Sequence, residues 1–209
     1  MTKYKAILYD LDGTVLNTLD MNMYPLMKII KEELDEDWTF EQVLKFASYP
    51  GMKVMEELNM KDPQKTYQRW VKYVNEYEEG ATLYDGMLDV FEAFDHQIIQ
   101  AVVSAKTVKQ YQIDFVSKGL ERFIQEKVLE DDTKKHKPDP EPLLECLRRL
   151  NISASEAIYV GDTYSDYLAA KNAHMDFIYA MWNGIIDERI EDAYIFAKEP
   201  KDLLKILED

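Results

Sequence analysis

Near the start of the sequence stand Lys5-Ala6-Ile7-Leu8-Tyr9-Asp10-Leu11-Asp12-Gly13-Thr14, in which a short apolar run leads directly into two acids and a glycine. Residues 5–9 predict a strand covered on both faces, as in a parallel sheet. Asp10 and Asp12 would emerge at its carboxyl end, the edge where open α/β sheets bind ligands. Their spacing lets one carboxylate attack while the other handles protons, and Gly13 permits a tight turn. The alternative is a strand-ending turn with a solvent-facing aspartate.

Short apolar runs alternate with helix-period stretches along the rest of the chain. Strands are predicted at residues 5–9, 98–103, 127–129, 157–160, 177–179 and 194–196, and helices at residues 87–94, 108–118, 140–150, 165–172 and 200–207. This alternation predicts an α/β fold with a three-layer, Rossmann-like core built on a parallel sheet.

The stretch between the first predicted strand and Gly86 breaks the alternation. It carries helical periodicity and no convincing strand, which indicates an inserted α-helical subdomain. Pro25 falls inside the first helical pattern and should either begin that helix or kink it. We expect an α/β core domain at residues 1–15 and 82–209 and the helical insert at residues 16–81.

The composition excludes several classes of protein. A chain of 209 residues can bury about 70% of its surface on folding, which is enough for a sizeable core. Cys146 is the only cysteine, so a disulfide framework or a cysteine metal cluster is excluded and a reducing compartment is favoured. The formal net charge of −15 repels nucleic acids and anionic lipid surfaces.

No targeting or membrane segment is expected either. The apolar run before Asp10 is too short for a secretory signal, and the longest apolar run, residues 177–182, is far below membrane-spanning length. We therefore expect a cytoplasmic protein without a nucleic-acid or membrane partner, either a monomer or a small homo-oligomer.

A second acidic group, Gly161-Asp162-Thr163-Tyr164-Ser165-Asp166, follows a predicted strand and opens a predicted helix. Taken alone, it is equally well explained as a helix N-cap. If its strand neighbours the first one, however, Asp10, Asp12 and Asp162 converge in one crevice. Several ionised carboxylates at close range require a cation, and hard oxygen ligands favour Mg²⁺.

Two further positions supply donors for a phosphate. Ser104 follows the predicted strand at 98–103, and Lys137 opens Lys137-Pro138-Asp139-Pro140 ahead of another predicted helix. The Ser104 hydroxyl, the neighbouring backbone N–H of Ala105 and the Lys137 ammonium are suitable partners for phosphoryl oxygens. As single residues they are explained more simply as a helix cap and a surface lysine.

In this order, the four segments resemble the signature of the haloacid dehalogenase superfamily of phosphohydrolases. The resemblance spans the whole chain, and the helical insert is similar in place and length to the small α-helical cap of the phosphoglycolate phosphatase-like and β-phosphoglucomutase-like branches. In such proteins the cap closes over the substrate. The loop around residues 49–53 resembles the substrate-facing loop of related caps.

The resemblance implies a two-step phosphoryl transfer. Asp10 would be the nucleophile that becomes an aspartyl phosphate, and Asp12 would protonate the leaving group and then activate water. Asp10, Asp162 and the backbone carbonyl of Asp12 would hold Mg²⁺.

Other matched positions would support this chemistry. The resemblance assigns phosphate binding to Thr14, Ser104, Ala105 and Lys137, and supporting roles to Gly13 and Asp166. The substrate would be a small phosphorylated metabolite, and phosphoglycolate, a sugar phosphate, a nucleoside monophosphate or pyrophosphate all fit.

Two departures from the family pattern leave questions open. Asn17 stands where relatives commonly have an acid, and Ser104-Ala105-Lys106 replaces a more usual Thr-Asn-Lys or Ser-Ser string, which leaves the role of Lys106 undefined. Dehalogenation is disfavoured because the dehalogenases lack an acid at the position of Asp12. A phosphosugar mutase of the same family and a non-catalytic phosphate- or protein-binding module are the alternatives to a phosphatase.

Overall fold

The computed structural model describes residues 3–47 and 49–207 of the chain. The chain forms two compact units. The core unit comprises Met1–Asn17 and Leu83–Asp209, and the insert unit comprises Thr18–Thr82.

A parallel sheet forms the centre of the core unit. In chain order, its strands are β1 (Ala6–Tyr9), β4 (Ile99–Val103), β5 (Glu126–Val128), β6 (Ala157–Gly161), β7 (Asp176–Ala180) and β8 (Ile195–Ala197). They lie in the order β5-β4-β1-β6-β7-β8, and every neighbouring pair is parallel. The predicted α/β class and parallel sheet are therefore confirmed.

The register of β1 positions the site. Tyr9, the last residue of β1, lies opposite Val102 of β4 on one side and Val160 of β6 on the other. Residues that directly follow these three strands must therefore meet at one edge of the sheet.

Two shorter strands accompany this sheet. They are β2 (Leu16–Asn17) and β3 (Thr82–Leu83), which pair as a separate two-stranded sheet. The sequence did not indicate a strand in this region, because a two-residue strand is too short to show periodicity.

The insert unit is helical. Its elements are α1 (Leu19–Leu34), α2 (Phe40–Val43), a 3₁₀ turn (Leu44–Phe46), α3 (Gly51–Glu57) and α4 (Pro63–Asn75). Helix α1 begins before Pro25, which lies inside the helix rather than at its start. Residues 23, 26, 29 and 30 of α1 pack with Trp70 of α4 in a separate apolar cluster, and the Trp70 indole donates to the backbone oxygen of Asn22 at 2.9 Å.

Four α-helices accompany the sheet among the described residues of the core unit. They are α5 (Met87–Phe94), α6 (Val108–Asp114), α7 (Glu141–Leu150) and α8 (Tyr164–Asn172). Helix α6 ends earlier than predicted and is followed by 3₁₀ segments at Val116–Lys118 and Leu120–Phe123, with Gly119 between them at a φ of +74°.

The predicted last helix is a 3₁₀ segment, Pro200–Leu207. Its buried residues Leu203 and Ile206 are three apart, a spacing that a 3₁₀ helix and an α-helix share, so the apolar pattern could not distinguish the two. No helix among the described residues is both long enough and apolar enough to cross a membrane.

Candidate active site

The first site residues lie in the turn that follows β1. The backbone N–H groups of Thr14, Val15 and Leu16 all point at the Leu11 carbonyl, at 3.2, 2.9 and 2.8 Å, which folds the chain back tightly. Gly13 has a φ of +85°, and a Cβ placed there would lie 2.2 Å from Oδ2 of Asp162. The turn therefore requires glycine both for its backbone conformation and for its close approach to β6.

Three carboxylates converge beside this turn. Asp10, Asp162 and Asp166 each offer an oxygen within 4.8 Å of the others. The Lys137 ammonium lies 2.6 Å from Oδ1 of Asp10 and 2.5 Å from Oδ1 of Asp166. Four residues that the sequence separates by up to 156 positions thus form one buried cluster, in which three acids face one base.

The pKa values reflect this excess of negative charge. Burial raises the pKa of Asp10 to about 7, with the Lys137 ammonium opposing the shift and the neighbouring Asp166 and Asp12 carboxylates adding to it. Burial, followed by repulsion from Asp166 and Asp10, also raises the pKa of Asp162 well above its usual range. The single positive charge of Lys137 therefore does not neutralise the three carboxylates of the cluster.

Asp166 differs from its two neighbours. Burial acts to raise its pKa, but the Lys137 ammonium and several hydrogen bonds outweigh burial and lower it below the usual value. The Tyr159 hydroxyl donates to Oδ1 of Asp166 at 2.9 Å, and the Thr163 backbone N–H donates to Oδ2 at 3.1 Å. Asp166 thus stays ionised and fixes Lys137. It also completes the Thr163 capping box of α8, as the helix-cap explanation predicts, while its other oxygen contacts Lys137 in the cluster.

Asp12 lies outside this cluster. Its Oδ1 is 2.8 Å from the ammonium of Lys106, a residue whose role the sequence left undefined. The same ammonium lies 2.6 Å from Oδ2 of Asp114, the last residue of α6. Burial acts to lower the pKa of Lys106, but the two carboxylates outweigh it and raise the pKa, so Lys106 is a cation.

The predicted phosphate-binding residues have different surroundings. The Thr14 hydroxyl donates to Oδ1 of Asp162 at 3.0 Å. Ser104 is buried just past β4, and its hydroxyl accepts from the backbone N–H of Lys106 at 3.3 Å. Ala105 follows it and is exposed. Lys137 contacts two carboxylates, as described above.

Two residues that contact the site, Tyr159 and Asn183, were not predicted from the sequence. Tyr159 lies in the middle of an apolar strand and resembles a core residue, yet its hydroxyl accepts from Lys137 at 3.0 Å. Asn183 donates to Oδ2 of Asp162 at 2.8 Å. Its position shortly after β7, at the carboxyl end of a parallel strand, is the signal that could have identified it.

The residues present fit a divalent cation. The donor set consists of carboxylate oxygens, the ligands that Mg²⁺ prefers. The three carboxylates carry more negative charge than the single positive charge of Lys137 can neutralise. The cradle is shaped by Gly13, because any side chain there would collide with Asp162.

Comparison with known proteins identifies the family to which the chain is similar. The family model for haloacid dehalogenase-like hydrolases matches residues 7–180. A protein named pyrophosphatase PpaX from Listeria innocua serovar 6a is 30% identical over 174 residues, which are 82% of this chain and 80% of that protein.

Solved structures share the fold. A protein from Lactobacillus plantarum, provisionally named phosphoglycolate phosphatase, superposes with a TM-score of 0.83 at 23% identity and covers 99% of this chain and 100% of its own. The provisionally assigned hydrolase YfnB from Bacillus subtilis, in a magnesium-bound form, superposes with a TM-score of 0.76 at 18% identity, covering 99% of this chain and 100% of its own.

Proposed function

Because the chain belongs to the family of haloacid dehalogenase-like hydrolases, we propose that it is a Mg²⁺-dependent phosphatase that hydrolyses a small phosphomonoester through an aspartyl phosphate on Asp10. One observation carries this proposal. The Asp10 carboxylate lies 2.6 Å from Lys137, whereas Asp12, two residues later, pairs with the separate cation Lys106. The candidate nucleophile therefore has beside it a second carboxylate that is held independently and is half-exposed, so that it can exchange protons with water.

Substrate binding would use the cation of the cluster. The Lys137 ammonium is fixed by Asp166 and Tyr159 next to Asp10, where it would attract the phosphoryl group to the nucleophile. The Thr14 and Ser104 hydroxyls and the backbone N–H of Ala105 would donate to the remaining phosphoryl oxygens. Orientation by several donors holds phosphorus in line with the attacking oxygen.

The reaction divides into two displacements. A carboxylate oxygen of Asp10 attacks phosphorus, the bond from phosphorus to the leaving oxygen breaks, and the protonated Asp12 gives its proton to that oxygen. Asp12 then takes a proton from a water molecule as the water oxygen attacks phosphorus. The bond to Asp10 breaks, orthophosphate leaves, and both aspartates return to their starting states.

Mg²⁺ would be held by the carboxylates of Asp10 and Asp162 and by the backbone carbonyl of Asp12. When bound, it neutralises charge on the transferring phosphoryl group. Asp166 would support the site from behind by fixing Lys137, and Asn183 would orient Asp162.

Pyrophosphate is a second candidate substrate. The relatives named pyrophosphatase PpaX support it, because the one from Listeria innocua is 30% identical across 82% of this chain. Pyrophosphate hydrolysis would use the same residues, with orthophosphate as the leaving group in place of an alcohol.

The test measures phosphate release from phosphoglycolate, sugar phosphates, nucleoside monophosphates and pyrophosphate, with Mg²⁺ or with excess chelator. We expect metal-dependent release by the wild type, none by Asp10→Asn, and unchanged release by Asp89→Asn, which replaces an exposed aspartate on α5. Equal release by Asp10→Asn would refute the nucleophile. Isomer exchange without net phosphate release would identify a mutase, and binding without turnover a non-catalytic module.

A further inference from the structure

A buried ion pair lies next to the carboxyl end of β4, outside the carboxylate cluster. Lys106 and Asp114 are only 6% and 7% exposed, and the lysine ammonium is 2.6 Å from Oδ2 of Asp114. Neither residue contacts Asp10, Asp162 or Asp166 through a described hydrogen bond or ion pair. Removing a lysine and an aspartate from water can cost more than their pairing returns, so this buried pair calls for an explanation beyond stability.

Backbone hydrogen bonds fix the positions of both members of the pair. The backbone N–H of Lys106 donates to the Ser104 hydroxyl at 3.3 Å, and its carbonyl accepts from the N–H of Glu130 at 3.0 Å. Asp114 ends α6, a helix that begins with a complete capping box at Thr107. The backbone of Lys106 and its ion pair with Asp114 thus fix the position of the ammonium independently of Asp12.

The third partner of this ammonium is Asp12. Its Oδ1 lies 2.8 Å from Nζ of Lys106, although the Asp12 side chain is 45% exposed and is otherwise placed only by its turn. The nucleophile candidate Asp10 is held by a different cation, Lys137. Two carboxylates two residues apart are therefore paired with two different lysines.

We propose that Lys106, fixed by Asp114, is a positioning residue that contacts Oδ1 of the Asp12 carboxyl group and so holds this group in the orientation in which its other oxygen delivers a proton to the leaving group. The inference rests on the proposed function and goes beyond it by giving Lys106 and Asp114 a role. Lys106 acts through Asp12 and not on the substrate, because two carboxylates already occupy its ammonium.

This role has a chemical signature in the leaving group. An alkyl phosphate releases an alkoxide that needs a proton as it departs, whereas 4-nitrophenyl phosphate releases a phenolate that is stable without one. Misplacing Asp12 should therefore lower kcat/KM for the alkyl ester and spare kcat/KM for the aryl ester, since kcat/KM reports the steps up to departure of the leaving group. Hydrolysis of the aspartyl phosphate, in which Asp12 is the base, is common to both esters and affects kcat alone. A lysine that bound the phosphoryl group directly would affect both substrates equally, because both carry the same phosphoryl group.

The test compares kcat/KM for phosphoglycolate, as the alkyl phosphate, and for 4-nitrophenyl phosphate, in the full chain with Mg²⁺. We expect Lys106→Met to lower kcat/KM for the alkyl phosphate by about 100-fold, mainly through kcat, and to leave kcat/KM for the aryl phosphate nearly unchanged. Lys109→Met, an exposed lysine on α6, is the matched control and should affect neither.

Folding is controlled by a second variant. Lys106→Met leaves Asp114 buried without its cation, whereas Lys106→Met/Asp114→Asn removes both charges and should keep the fold, checked by circular dichroism. The double variant should show the same selective loss. Adding Lys106→Met to Asp12→Asn should cause no further loss, because both changes remove one function.

The outcomes separate this inference from the proposed function. Equal losses for the two esters, a raised KM as the main effect, or a further loss on top of Asp12→Asn would each overturn the positioning role while Asp10→Asn remains inactive. Turnover of both esters by Asp10→Asn, or no turnover of either by the wild type, would instead overturn the proposed function and the inference with it.

Discussion

Replacing Gly13 by alanine should destabilise the protein and inactivate it for two separable reasons. The first is backbone strain, because Gly13 has a φ of +85°. The second is collision, because the new Cβ would lie 2.2 Å from Oδ2 and 2.7 Å from Cγ of Asp162. Asp162 cannot simply rotate away, since Thr14 and Asn183 hold its two oxygens at 3.0 and 2.8 Å.

The magnitudes follow from these distances. A positive φ costs an alanine about 1–2 kcal/mol, of which about 0.4–1 kcal/mol is offset by the less flexible unfolded chain. Moving a packed carboxylate by roughly 1 Å adds about 1–3 kcal/mol. The sum of about 1–5 kcal/mol, centred near 3 kcal/mol, lowers Tm by roughly 10 °C in a chain of this size. The same displacement should lower kcat/KM by about 100-fold.

Gly119→Ala is the matched control. Gly119 has a φ of +74°, but nothing lies within 4 Å of a Cβ placed there. Only strain remains, so scanning calorimetry should show a fall in Tm of about 2–4 °C, and phosphate release should be unchanged. If Gly13→Ala matched Gly119→Ala in both Tm and turnover, the close approach to Asp162 would not constrain the site and the reasoning would fail.

Three further outcomes are expected. Burial raises the pKa of Cys146 to about 12, so at pH 8 only about one thiol in 10,000 is ionised. Iodoacetamide should therefore label Cys146 slowly in the folded protein, faster as the pH rises, and readily in urea. Equal labelling rates in the folded protein and in urea would contradict this. Tyr159→Phe removes the hydroxyl that contacts Lys137 at 3.0 Å and should cost about 1–3 kcal/mol in urea unfolding together with a lower kcat; an unchanged variant would show that the contact is dispensable. Asn183→Ala should weaken Mg²⁺ activation by about 10–100-fold at unchanged fold, and an unaltered Mg²⁺ titration would exclude a role in orienting Asp162.

The central sheet was predictable because strands covered on both faces are mostly apolar, although the edge strands β5 and β8 are only partly buried. Each of its six strands lies within one residue of its predicted bounds; for example, residues 157–160 were predicted and β6 is Ala157–Gly161. The 3₁₀ segment at the end of the chain was not distinguishable, because Leu203 and Ile206 satisfy both helical periods.

The carboxylate cluster was partly predictable from the same principle. Acids that follow parallel strands meet at one edge, so Asp10, Asp12 and Asp162 were expected to converge. Oxygens of Asp10 and Asp162 do so, whereas the Asp12 side chain lies outside the cluster and pairs with Lys106. Which lysine pairs with which acid was not predictable, because that depends on side-chain reach and not on strand order. Lys106 and Asp114 are eight positions apart and look like ordinary polar residues until the fold pairs them and places the Lys106 ammonium against Asp12.

The sequence distance between partners in the site has a consequence for synthesis on the ribosome. The hydrogen bond from Thr14 to Asp162 joins residues 148 positions apart, and that from Lys137 to Asp10 spans 127. At about 5–20 residues per second, the ribosome needs roughly 7–30 s after making the first acids before it makes their last partners. The nascent chain carries its candidate nucleophile throughout that interval but cannot yet form the cluster around it. Activity should therefore begin only after the chain has been synthesised beyond Asp162.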